Sequence, residues 1–132
     1  MGGTLTATPG GRPPRILVQA QKEPDGANLD RIQIVKVWRA GGANHEKVFD
    51  VAWAGDRKRD ARSGEVPAVG NTVDTRTATY RNSIGSVELV AEWVDPEFDA
   101  KAPAIYYARV LEIPTPRCST YLAVRNGMPL PS

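Results

Sequence analysis

Residues 105–117, IYYARVLEIPTPR, read as one long strand stopped by two prolines. Side chains of a strand alternate between its two faces. Ile105, Tyr107, Arg109, Leu111 and Ile113 therefore share one side, and Tyr106, Ala108, Val110 and Glu112 share the other. Pro114 and Pro116 have no N–H to give a ladder, so pairing ends near them. A strand of this kind makes the architecture β-rich.

The same alternation recurs upstream. Residues 15–21 (RILVQAQ) form the first expected strand, followed by a turn at Glu23-Pro-Asp-Gly26, where proline presets φ and glycine accepts positive φ. Residues 30–39 and 47–53 make a hairpin around the flexible stretch 40–44, with a loop longer than the tight types. In its second arm Phe49, Val51 and Trp53 share an apolar face. The Thr- and Val-rich stretch 72–80 suits a pleated surface and is expected to be a strand. In 86–94, Val87, Leu89, Ala91 and Trp93 lie opposite Glu88, Val90, Glu92 and Val94. Between these lies 55–71, an irregular loop with charges of both signs, expected to be solvated surface. After Arg117, Ser119 can cap a short helix that Gly127 ends in the left-handed conformation.

Six strands and one short helix predict an all-β fold. The expected form is a single immunoglobulin-like β-sandwich of about six to eight strands. It would occupy residues 15–116, between a flexible Gly/Pro-rich segment at 1–14 and a helix and tail at 117–132.

Seventeen Lys and Arg against fifteen Asp and Glu, a net charge of +2, carry no nucleic-acid signature. No apolar run is long enough for a membrane span, and residues 1–14 lack the pattern of a signal peptide. That leaves the compartment open between cytoplasm and export with a longer parent chain. The oligomeric state is open too. Lone Cys118 cannot form an internal disulfide.

Groups for chemistry are scarce. His45 is the only histidine. With Glu46 and Asp50 it is the nearest thing to a metal-ligand set, although a zinc site takes three or four ligands at close spacing and this spacing is not diagnostic. Cys118 lacks a second histidine to act as its base, and no Gly-x-Ser-x-Gly elbow occurs. Glu88 and Glu92 fall on one strand face about 13 Å apart, too far for either glycosidase geometry. Trp38, Trp53 and Trp93 would make a sugar platform only if exposed in a row, and Trp38, which breaks its strand's alternation, is the best exposed candidate. The residues expected to face a partner or ligand are Trp38, Arg109, Arg117 and Tyr121. Arg109, a charge on an apolar strand face, needs a partner if buried, with Asp50 or Glu92 as candidates.

Four passages together resemble one family: 26–36 (GANLDRIQIVK), 45–58 (HEKVFDVAWAGDRK), 67–74 (PAVGNTVD) and 106–117 (YYARVLEIPTPR). They are similar to the carboxy-terminal part of the bacterial domain of unknown function 3604 (DUF3604) family, over nearly the whole chain. The resemblance implies longer relatives whose amino-terminal bulk looks like a metal-dependent hydrolase barrel of the polymerase-and-histidinol-phosphatase (PHP) class. Histidine-rich metal motifs of that barrel do not occur here, so no metal ligand carries over. A divalent metal is implied for the full-length family and no cofactor for this chain. The implied role is a noncatalytic β module that braces or borders a barrel supplied elsewhere, with a stand-alone carbohydrate-type or protein-interaction sandwich as the alternative. Met1-Gly-Gly resembles an internal segment of the longer relatives, as expected of a fragment, a split gene or a cloned piece. Cys118 stands where relatives tend to carry a tryptophan, an aromatic that would pack on the missing barrel.

Overall fold

The computed structural model describes residues 2–6 and 11–130. Part of the segment expected to be flexible at 1–14, and the end of the tail, lie outside them. Five strands and one helix follow in order: β1 (Arg15–Gln21), β2 (Leu29–Ala40), β3 (Ala43–Trp53), β4 (Glu88–Val94), β5 (Ala104–Glu112) and α1 (Cys118–Arg125). β1 pairs with β4, and β3-β2-β5 form a second sheet, all antiparallel. The fold is thus mostly β and sandwich-like, with a short carboxy-terminal helix.

The two sheets meet through Leu29, Ile32 and Leu89, with Val18, Ala20, Val51 and Ala52 packed around them. Trp93 of β4 continues this seam, 5.0 Å from the Phe49 ring and 6.0 Å from that of Tyr106. Such tilted and edge-on aromatic pairs add to the burial of their area.

Three expectations need correction. The stretch 72–80 is not a strand but a tight turn in which Asp74 and Thr79 exchange backbone hydrogen bonds of 2.8 and 3.1 Å. The side chains of Asn71 and Asp74 accept from the N–H groups of Val73 and Arg76, and so take donors that a ladder would need. The β2–β3 loop is a two-residue connection, Gly41-Gly42, with φ of 58° and 80° and Ala40 facing Ala43. Two positive φ values make this the twist-matched hairpin turn that glycine allows. Gly42→Ala should cost about 1–2 kcal/mol, read as a lower urea midpoint. The turn is otherwise open, with nothing within 4 Å of an added Cβ. Finally, Arg117 and not Ser119 stands at the N-cap of α1, and it makes no side-chain capping bond. Gly127 does end the helix, with φ of 63° and Met128 N–H donating back to the Ala123 carbonyl.

A β-bulge changes the face of one aromatic. Between the pairs Ile32–Ala52 and Gln33–Asp50, β3 carries one extra residue, Val51. Val51 and Ala52 both reach the core as a result. Trp53, expected beside Phe49 and Val51, instead pairs with Arg31.

Candidate functional site

Register places Glu46, Val37 and Ile105 in one cross-strand row of the three-stranded sheet. Val48, Val35 and Tyr107 make the next row, Asp50, Gln33 and Arg109 the third, and Trp53, Arg31 and Leu111 the last. These rows form the outer face, because the alternate rows hold Phe49 and Tyr106 against Trp93.

The lower half of this face is a polar lattice. Arg31 donates to Asp50 Oδ2 at 3.0 Å, to the Val66 carbonyl at 2.8 Å and to the Pro67 carbonyl at 2.8 Å. Gln33 Nε2 donates to Asp50 Oδ1 at 2.7 Å, while its Oε1 accepts from Arg109 Nε and Nη2 at 3.0 and 2.7 Å. Arg109 is therefore exposed and reaches Asp50 only through Gln33; Glu92 pairs with Arg15 instead. Arg57 donates to the carbonyls of Asp30, Ala54 and Pro67. It also sets Nη2 2.7 Å from Asp30 Oδ1 as an ion pair without a well-directed hydrogen bond. Arg59 lies 5.3 Å over the Trp53 ring and donates to the Asp50 carbonyl. Loop 55–71, expected to be merely solvated, is in fact tied to the sheet by three arginines and buries Val66.

The upper half is open and, apart from Glu46, apolar. Val48, Ile105 and Tyr107 are 41%, 68% and 48% exposed.

A second polar cluster sits on the inner side. Lys36 and Asp95 are both 3% exposed and pair at 2.5 Å. Lys36 also donates to the Glu97 carbonyl at 2.7 Å, and Tyr106 OH donates to Asp95 Oδ2 at 2.7 Å. Lys36, Trp38, Glu97, Asp99 and Tyr106 line a small cavity of about 60 Å³. A larger, open groove of about 550 Å³ runs along the turn segment Asn71–Arg81, and its Arg76 is already paired with Asp74.

Burial pushes Asp50 and Asp95 upward, but their hydrogen bonds and cationic neighbours outweigh it and hold both carboxyls below the ordinary value. Burial first, then the bond to Asp95 and its charge, raise the Tyr106 phenol. The unfolded state therefore binds more protons than the native state around and below pH 4, and releases a proton first above about pH 10. Stability should fall as pH drops through the depressed carboxyl range and again as it rises past about 10, as urea midpoints against pH would show.

The proposed metal set does not converge. His45 stacks on Trp38 at 5.3 Å on the inner side, while Glu46 and Asp50 stand in outer rows, Asp50 already saturated. Among the described residues no three His, Cys, Asp or Glu side chains gather as a metal site. The three indoles do not form a row: Trp38 is half-buried against His45, Trp53 lies under Arg59, and Trp93 is in the seam. Trp38 and Arg109 fall on opposite faces of the sheet. Arg117, exposed Tyr121 and exposed Cys118 belong to the helix and its start. The Lys36–Asp95–Tyr106 cluster escaped the sequence. Its one signal was a lysine in the apolar series Ile32, Ile34, Lys36.

Fold and geometry together define a small β-sandwich-like domain whose buried charges are paired internally and whose outer sheet face is half apolar. The chain matches the family model "Protein of unknown function (DUF3604)" over residues 1–132, and it belongs to that family. No curated protein and no solved structure matches it. No described helix is long and apolar enough to cross a membrane.

Proposed function

We propose that this chain is a noncatalytic docking module of the DUF3604 family, bracing or bordering a PHP-like hydrolase barrel supplied by a longer relative or a separate chain. The open patch of Val48, Ile105 and Tyr107 carries this reading. An apolar patch rimmed by polar residues marks an interaction surface. Here the rim is the Asp50–Gln33–Arg109 row, held rigid by its own hydrogen bonds. The placement at the carboxy-terminal end of the family, and the barrel itself, come from the resemblance of the four sequence passages. Any divalent metal would then belong to the barrel.

The test mixes this chain with the histidine-rich barrel of a longer family member expressed as a separate polypeptide. The two should sediment together, and Val48→Asp with Tyr107→Asp should abolish the complex. Independent sedimentation of the wild-type chains would remove the proposal.

A further inference from the structure

We infer that β5 is a dimerisation edge, on which a second copy of this chain adds its own β5 antiparallel to make one continuous six-stranded sheet. Pro103 gives its carbonyl to Arg39, and Ile113 gives its N–H to Asn28, both toward β2. Ladder groups alternate along a strand. The backbone groups of Tyr106, Ala108 and Val110 therefore point away from β2, and none of them finds a partner among the described residues. Tyr107, Ala108, Arg109 and Val110 are exposed in succession, so the edge is clear on both sides.

Proteins blunt free edges with lysine, proline, bulges or charge. The opposite edge of this sheet, β3, does so with His45, Glu46, Lys47 and Asp50. β5 carries no lysine, proline or bulge of its own between Ala104 and Glu112, and of its two charges Arg109 is bonded to Gln33 and Glu112 stands at the strand's end. Its sequence is self-complementary about Ala108. In that register Tyr107 faces Arg109 of the second copy, Tyr106 faces Val110, and Ile105 faces Leu111. Each is a favourable cross-strand pair, one of them cation on aromatic ring. Glu112 faces Ala104, so no like charges meet. A nine-residue strand is about 30 Å long. Pairing along that length, with ladder hydrogen bonds and side chains meeting on both faces, makes a small interface of the reversible kind. The edge shares Ile105, Tyr107 and Arg109 with the outer patch and its rim, but Ala108 lies outside that patch and Val48 outside the edge, so variants at those two positions let the two proposals fail separately.

Sedimentation of the purified chain should give twice its 14.3 kDa mass at tens of micromolar and approach the single mass on dilution. Ala108→Pro removes no bond to β2, because that N–H points outward, and it blocks the edge. Ala108→Lys sets two ammonium groups opposite each other. Both variants should sediment as monomers with unchanged circular dichroism. Amide exchange at Tyr106, Ala108 and Val110 should be slowed about tenfold in the dimer. A wild-type monomer at every concentration, or a dimer that persists in both variants, would overturn the inference.

Discussion

Asp95→Ala should lower the unfolding free energy by about 3–5 kcal/mol, the cost of leaving a buried charge bare. The Asp95 carboxylate, fully buried, is among the described residues the one anion paired with the Lys36 ammonium, whose side chain is 4% exposed. Without it Lys36 keeps the Glu97 carbonyl alone as a close acceptor, and the Tyr106 hydroxyl loses its acceptor. Burying an ammonium without its counter-ion is expensive, whereas removing both charges is often near neutral. Lys36→Met combined with Asp95→Asn should therefore cost less than Asp95→Ala alone. Urea denaturation of the two proteins makes the comparison, and equal losses would mean that the ion pair contributes only through packing.

Gly85→Ala is the second large effect, expected at about 3–4 kcal/mol. Gly85 has φ of +82°, a conformation that strains any side chain. An added Cβ would also stand 2.7 Å from Asn28 Cβ, 2.7 Å from Ile113 Cγ2 and 2.9 Å from the Leu29 carbonyl. These neighbours are buried, and Asn28 is fixed by bonds to Asn82 and Ile84, so none can retreat. Gly55, with φ of +73° and nothing within 4 Å, is the control. Gly55→Ala should show the backbone strain alone, about 1–2 kcal/mol. The difference between the two variants measures the close approach by which segment 82–86 clasps the start of β2.

Much of this fold was legible. Strand 15–21 matches residue for residue, β2 and β4 lie within a residue or two of the expected bounds, and β5 starts within one residue but stops at Glu112 instead of running to Arg117, because alternation over a half-buried sheet is a strong signal. Three features were not legible, each for a physical reason. The extra residue at Val51 reverses the parity that an alternation argument assumes, and so sent Trp53 to the wrong face. Threonine-rich 72–80 looked like a strand by propensity, but Asn71 and Asp74 compete locally for the backbone. Lys36 and Asp95 are joined only by tertiary structure, since they lie 59 positions apart. On the site, the weak His45–Glu46–Asp50 set fails because neighbours on a strand point to opposite faces. Arg109, expected to need Asp50 or Glu92 if buried, is exposed instead and bonds Gln33, an uncharged acceptor directly across the strand.

On the function proposed above, the ionisable groups of this chain serve its architecture and its surfaces and assemble no hydrolytic centre of their own. The direct measurement supplies Mn²⁺ or Zn²⁺ to the purified protein, quantifies the metal retained and follows hydrolysis of a phosphoester panel. Far less than one ion per chain and no turnover above the buffer are expected. One tightly held ion per chain with sustained turnover would contradict that function.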